Sequence, residues 1–179
     1  NSVSITVNAL PTTPVITPSG ATTFCSGGSV DLTSSYTGGN TWSNAATTDF
    51  VTVNSSGNYS VTYTDGNGCS STSAPVAVTV NTSSATVTPA SPGFCTGGSV
   101  VLTATSTPAA VSYLWSDAST ASTLTVNTAG TYTVTTTDGN GCIASTSVTV
   151  VENDIPVVDA ITGNRSEEHT SELQSPSVI

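Results

Sequence analysis

A chain of 179 residues with eleven acidic side chains, a single Lys or Arg and a formal charge of −10 has room for one or two small domains and no basic footprint for a nucleic acid. Residues 1–164 contain no Lys, Arg or His, which removes the usual general base, phosphate clamp and imidazole ligand and disfavours an anionic membrane surface. No apolar run reaches membrane-spanning length, Met is absent, and short β-branched runs broken by Gly, Asn and Pro predict an all-β chain rather than helices.

Residues 2–8, Ser-Val-Ser-Ile-Thr-Val-Asn, match Ala77–Asn81 and Thr146–Val150, each of which closes a longer pattern. Residues 1–10 therefore read as the last strand of a truncated upstream repeat, and the start reads as cut from a longer protein. Pro11 to Pro14 is a short linker.

The first repeat covers residues 14–81. Val15 and Ile16 open it as an edge strand. Phe24-Cys-Ser-Gly-Gly-Ser-Val-Asp-Leu-Thr33 follows, with Val30 and Leu32 alternating against polar neighbours, so one face is buried. Trp42 stands alone as a large core anchor on a short strand. Phe50, Val51 and Val53 form the next strand. Tyr59, Val61 and Tyr63 lie on one face of another, and Asp65-Gly-Asn-Gly68 turns into a last strand ending at Val80.

The second repeat covers residues 85–151. Phe94-Cys-Thr-Gly-Gly-Ser-Val-Val-Leu-Thr103 copies the first motif, with Leu102 at the position of Leu32. Tyr113 and Trp115 match the Trp42 strand, Leu124 and Val126 match Val51 and Val53, and Tyr132 and Val134 match Tyr59 and Val61. The interval from Trp to the second Cys is the same in both copies. The interval from the first Cys to Trp is three residues longer in the second, within Ser106–Ala110, where a turn tolerates insertion. Fixed strands with variable loops mark a tandem repeat with a period of about 70 residues. A sheet with one apolar face needs a second sheet against it, so each repeat is predicted as a sandwich of about seven short strands around a thin core.

Pro156-Val-Val-Asp159 resembles the opening of a third repeat, assigned to residues 155–164. Composition changes abruptly after Asn164. Residues 165–176 closely resemble the translation of a sequencing adapter, which implies that 165–179 is an artefactual tail. A charged helical tail is the structural alternative. No role is assigned to Arg165 or His169.

Cys25, Gly27, Val30, Leu32, Trp42, Ser43, Gly57, Tyr59, Val61, Asp65, Gly68 and Cys69 together resemble a known pattern: the Cys-containing immunoglobulin-like or PKD-like repeats of large secreted proteins of Bacteroidetes. Cys95, Gly97, Val100, Leu102, Tyr113, Trp115, Ser116, Gly130, Tyr132, Val134, Asp138, Gly141 and Cys142 resemble it a second time. The first copy departs at Asn40, where the pattern has Tyr. The resemblance covers about 14–150. It implies tandem immunoglobulin-like β-sandwiches, adhesive or spacer roles, an extracellular or cell-surface location and, often, type IX export. It also implies that Tyr59 and Tyr132 are tyrosine corners, and that Trp42, Trp115, Val61 and Val134 pack in the core with Leu32 and Leu102.

Four cysteines at matching positions suit an oxidising compartment, with free thiols as the alternative. An immunoglobulin core bridge joins strands B and F beside the Trp, but those positions here hold Ser34 or Ala104 and Val61 or Val134. In that topology Cys25 precedes strand B and Cys69 follows strand F, at opposite poles about 20 Å apart, whereas a disulfide needs Cα atoms within about 7 Å. Two pairings stay open. One joins Cys25 to Cys142 across the repeats and leaves Cys69 and Cys95 for neighbouring repeats. The other places one bridge in each repeat.

The Asp-Gly-Asn-Gly turns could suggest calcium, but the later ligands of a calcium loop are missing, and a hairpin turn with an Asp cap is the simpler reading. Asp49 and Asp117 are isolated loop acids. Trp42 and Trp115 read as core anchors rather than sugar platforms. No hydroxyl has a His partner before residue 165, so no catalytic residue, cofactor or metal site is assigned. The expected partners are neighbouring repeats, with a surface polysaccharide or protein as an alternative for which Tyr36 and Tyr63 are candidate contacts. The expected function is a non-catalytic spacer. An accessory binding module and a non-catalytic region of a secreted enzyme are the alternatives.

Overall fold

Apolar side chains at every second position make each strand one-sided, and that one-sidedness builds the layers. In the computed structural model, which describes residues 2–156, the first unit has nine strands: β1 (Ile16–Pro18), β2 (Thr23–Cys25), β3 (Val30–Ser34), β4 (Asn40–Trp42), β5 (Phe50–Val53), β6 (Gly57–Tyr59), β7 (Val61–Thr64), β8 (Ser70–Thr72) and β9 (Val76–Asn81). The second unit has seven: β10 (Ser84–Thr88), β11 (Gly93–Cys95), β12 (Val100–Thr107), β13 (Ala110–Trp115), β14 (Thr123–Val126), β15 (Gly130–Asp138) and β16 (Ile143–Asn153).

Both units have the same wiring. One sheet runs β1-β3-β5 in the first unit and β10-β12-β14 in the second, all antiparallel. The other runs β11-β16-β15-β13 in the second unit, with β11 parallel to β16. In the first unit it is split into β2-β9-β6 and β4-β7-β8, with β2 parallel to β9. The described residues are thus all-β, built of repeated small sheet units resembling tandem immunoglobulin-like sandwiches.

The split has a local cause. Tyr59 faces Val76 and Thr62 faces Thr72, whereas the equivalent Tyr132 faces Val148 and Thr135 faces Ser145. The first unit therefore holds one extra residue within Ser73–Pro75. Pro75 has no N–H for the ladder, and a one-residue insertion forms a bulge. Ser73 repairs the gap: its hydroxyl accepts the Val61 N–H at 3.1 Å and its own N–H donates to the Val61 carbonyl at 2.9 Å. The nine strands of the first unit are thus the seven-strand plan with two strands interrupted.

Each unit has its own core. Val30, Leu32, Trp42, Val51, Val53, Val61 and Val78 fill the first, with Phe24 and Tyr59 at its edge. Phe94, Leu102, Ala104, Trp115, Leu124, Val126, Val134, Val148 and Val150 fill the second, with Tyr113 and Tyr132 at its edge. Inward residues of both sheets meet in each cluster, as a sandwich requires. Among the described residues, the hydrogen bonds stay within one unit or the other.

Residues 2–15 lie in no strand, and Val3, Ile5 and Val7 of the alternating segment stand exposed. Alternation makes a strand only where a neighbour offers a ladder of hydrogen bonds. The segment is tied down near its end, where the Tyr36 hydroxyl donates to the Thr12 carbonyl at 3.0 Å. Most of the third-repeat opening and all of the adapter-like tail fall at 157–179, outside the described residues.

Candidate functional site

The Asp-Gly-Asn-Gly-Cys turns are held by their own aspartates. Asp65 Oδ1 accepts the N–H groups of Asn67 and Cys69 at 2.8 and 2.9 Å, and Asp138 Oδ1 accepts those of Asn140 and Cys142 at the same distances. Gly68 and Gly141 take φ of +82° and +79°, a region that suits Gly, and their N–H groups close each turn on the Asp carbonyl at 3.0 Å. The carboxylate thus sets the backbone of the cysteine four residues on. It is a turn cap, and among the described residues no group of three or more His, Cys, Asp or Glu is placed to hold a metal.

The other two cysteines close the parallel strand pair at the opposite pole. Ser26 N–H donates to the Asn81 carbonyl at 2.8 Å, and Thr96 N–H to the Asn153 carbonyl at 3.0 Å. The carbonyl of Cys25 accepts Gly28 N–H at 3.0 Å, and that of Cys95 accepts Gly98 N–H at 2.7 Å. Each unit therefore presents one cysteine at the end of its last strand and one on its turn at the other end.

At the junction these halves meet. Cys25 is bonded to Cys142, with Cα atoms 5.4 Å apart and 117 residues between them in sequence. That separation lies inside the range a disulfide needs. The bond ties the end of the first unit to the leading turn of the second. Cys69 and Cys95 are free, Cys69 half-buried and Cys95 exposed. Junction burial falls on the bonded side: Cys142 is 2% and Asp138 1% exposed, while their counterparts Cys69 and Asp65 are half-buried. The second oxygen of Asp138 is buried without a hydrogen bond.

The remaining residues singled out from sequence sit in the scaffold. Trp42 and Trp115 are buried, and their indole N–H groups donate to the carbonyls of Thr48 and Ala121 at 2.8 and 2.9 Å. Leu32, Leu102, Val61 and Val134 are fully enclosed. The hydroxyls of Tyr59 and Tyr132 donate to the carbonyls of Ser55 and Thr128, each at 3.0 Å, pinning the chain that enters the strand. At the immunoglobulin bridge position Ser34 donates to Asn40 Oδ1 at 2.9 Å, and Ala104 is buried.

Three features escaped sequence reasoning. Asp49 is not isolated: its Oδ1 accepts Gly38 N–H at 2.7 Å and the Asn40 amide at 3.2 Å, which orders the loop before β4. Tyr36 and Tyr63 stack, with ring centroids 3.8 Å apart and planes at 6°. Ala45 and Ala118 take φ of 67° and 69°, a left-handed conformation unusual for Ala, at the same place in the turn after each Trp. The repeated Trp-Ser-Asn-Ala and Trp-Ser-Asp-Ala were the available signal for this turn. In the second, Asp117 lies below the usual carboxylate range because the Ser119 hydroxyl and then its N–H donate to it, at 2.7 and 3.0 Å.

Shallow depressions accompany the strand edges. One of about 590 Å³ lies along Pro92, Gly93, Ser147, Thr149 and Asn153, and no ionisable side chain lines it. No described residue is Lys, Arg or His. The disulfide holds the two sandwiches together.

No family model and no curated protein matches the chain. Among solved structures it is similar to the N-terminal four Ig domains of Dscam1 isoform 8.4, at 15% identity and a TM-score of 0.36, over 83% of this chain and 48% of that one. It is also similar to the three N-terminal domains of the highly immunogenic outer capsid protein (Hoc) of bacteriophage RB49, at 19% identity and a TM-score of 0.39, over 78% of this chain and 59% of that one. The chain spans about half the length of the solved structures it matches.

Proposed function

We propose that this chain is a non-catalytic spacer within an extracellular or cell-surface adhesin-like protein, in which immunoglobulin-like units are set end to end at fixed angles. The observation that carries this reading is the Cys25–Cys142 disulfide between two units whose described hydrogen bonds are all internal. Two small sandwiches on a flexible linker sample many angles, and a covalent tie at the contact restricts them to few. A bond of this kind persists in an oxidising compartment, which supports the location. Thr and Ser on the outward strand faces keep the surface polar without basic charge, as in the paired hydroxyls of Thr62 with Thr72 and Thr86 with Thr105.

Small-angle scattering of the full chain tests the spacer. The oxidised protein is expected to give one narrow, elongated distance distribution, and Cys142→Ser a broader one with a lower mean extension. Equal distributions would sink the reading.

The Tyr36–Tyr63 stack favours a second reading, an accessory module that binds polysaccharide or protein. The pair is half-buried, belongs to the first unit alone and sits beside an ordered loop. Tyr36→Ala is then expected to abolish binding on a glycan array that the parent chain shows, and an array blank for the parent chain rejects it. A place in the non-catalytic part of a secreted enzyme differs only in what adjoins these units. A Bacteroidetes source and the adapter origin of 165–176 rest on sequence resemblance, and resequencing the gene through this region tests both.

A further inference from the structure

We infer that Cys95 and Cys69 are the two open halves of the same bridge, and that Cys95 of one copy of this chain bonds Cys69 of a second copy, joining chains head to tail. The inference rests on the spacer reading only in placing the chain where thiols oxidise. Its geometry stands on the Cys25–Cys142 junction.

Each open half repeats the local structure of a bonded one. Cys95 is to the second unit what Cys25 is to the first: both end a strand parallel to the last strand, both are followed by an N–H bonded to a terminal Asn carbonyl, Asn153 or Asn81, and both accept the N–H of a Gly three residues on. Cys69 is to the first unit what Cys142 is to the second, with the same Asp cap at the same distances. What differs is burial. Cys142 and Asp138 are covered at the junction, whereas Cys69 and Asp65 are half-buried, and Cys95 is exposed where Cys25 is half-buried. Among the described residues, the open halves lack the cover that a neighbouring unit gives the bonded ones.

The two open cysteines do not meet within one chain. Cys69 and Asn81 lie at opposite ends of the β8–β9 run, and Asn81 lies beside Cys25 at the junction. Cys95 lies beside Asn153, at the far end of β16 from Cys142. Each run spans about 35–40 Å at the rise of a strand, so Cys69 and Cys95 mark the two outer poles. A contact between unlike patches of identical chains is heterologous, and where the rotation does not close it grows as an open chain.

The chemistry is thiol–disulfide exchange with a small disulfide such as oxidised glutathione. The Cys95 thiolate attacks glutathione disulfide, a mixed disulfide forms and one glutathione thiol leaves. The Cys69 thiolate of the second copy then attacks the protein sulfur, and the second glutathione thiol leaves. Two protein thiols are oxidised and one glutathione disulfide is reduced.

The test uses the full chain with oxidised glutathione, read on non-reducing gels and by peptide mapping. The parent chain is expected to form a ladder in steps of one chain, which Cys69→Ser and Cys95→Ser each abolish. An equimolar mixture of the two variants restores a two-chain species and stops there, with the Cys95 peptide linked to the Cys69 peptide. A two-chain species from either variant alone means like cysteines pair and overturns the proposal, as does a mixture that stays single-chain or a Cys69–Cys95 link within one chain. The same map reads the junction. Loss of the Cys25–Cys142 peptide overturns the bridge geometry and the spacer with it. Its presence beside an unlinked mixture overturns the head-to-tail pairing alone.

Discussion

The two units share a wiring plan and differ where the plan is least constrained. The second has a continuous β15 and β16 paired from Gly130 with Val150 to Thr137 with Ile143. The first breaks the same pair at Ser60, because one extra residue beside Pro75 cannot be absorbed by a ladder. The first fills the loop before its Trp strand with an Asn40–Asp49 network and a Tyr stack. The second lengthens the corresponding strands, β12 and β13, by its three-residue insertion. The Trp anchor, the tyrosine hydroxyl and the Asp-capped turn are the same in both. What the two copies keep is what closes the sandwich. What they vary lies at strand edges and loops, where insertion costs little.

That comparison can be broken most severely at the core anchors. Trp42→Ala removes the largest side chain of a thin core and is expected to cost about 3–5 kcal/mol, comparable to the whole stability of a small domain. Amide spectra should then lose the first-unit signals and retain those of the second, and Trp115→Ala should do the reverse. Joint loss of both units from either variant would show that the cores are coupled, against the separate clusters seen here.

The tyrosine hydroxyls probe the shared plan at a smaller scale. Tyr59→Phe and Tyr132→Phe each delete the bonds of the phenol to the carbonyl and to the hydroxyl of the residue four positions earlier and should lower stability by about 1 kcal/mol, equally in the two units. Urea midpoints measure this, and a large inequality would mean the two corners do different work. Ala45→Gly and Ala118→Gly should raise stability, by about 0.5–1 kcal/mol each, because the left-handed conformation strains Ala and not Gly. A lower melting temperature for both would contradict the turn geometry.

The smallest effect distinguishes the units by pH. Asp117 is held low by Ser119, while the first unit has the non-titrating Asn44 at that place, accepting the Ala46 N–H at 3.2 Å. A carboxyl depressed in the folded state contributes stability that is full above its unfolded value, near 4, and is lost as pH falls through the folded value. The turn of the second unit should therefore weaken in acid while that of the first does not. Carbon-detected titration should show Asp117 moving up in Ser119→Ala. No movement would exclude the serine as the cause.

Much of the fold was legible in residue order. Val30 and Leu32, or Val51 and Val53, declare an inward face by alternation alone, and the second copy repeats each at matched intervals. The broken ladder of the first unit was not legible, because Ser73, Ala74 and Pro75 read as an ordinary strand approach until their partners are known. The left-handed alanines were hidden for a similar reason. Ala signals no positive φ, and only the hydrogen bonds of the Trp-Ser-Asn-Ala and Trp-Ser-Asp-Ala turns require it. Tyr36 and Tyr63 looked like separate exposed aromatics, and the loop beside their stack is held by Asp49 from the bend before β5.

The sequence by itself determined an all-β chain of repeated two-sheet units with one Trp at the heart of each, since these follow from alternation and spacing within a few residues. It also placed four cysteines at unit poles and left residues 1–164 without a Lys, Arg or His. Only the tertiary structure decided which cysteine meets which. Cys25 and Cys142 lie 117 residues apart, and nothing local in either segment encodes the other. Their meeting is set by how one sandwich ends and the next begins, a property of packed units rather than of any stretch of chain.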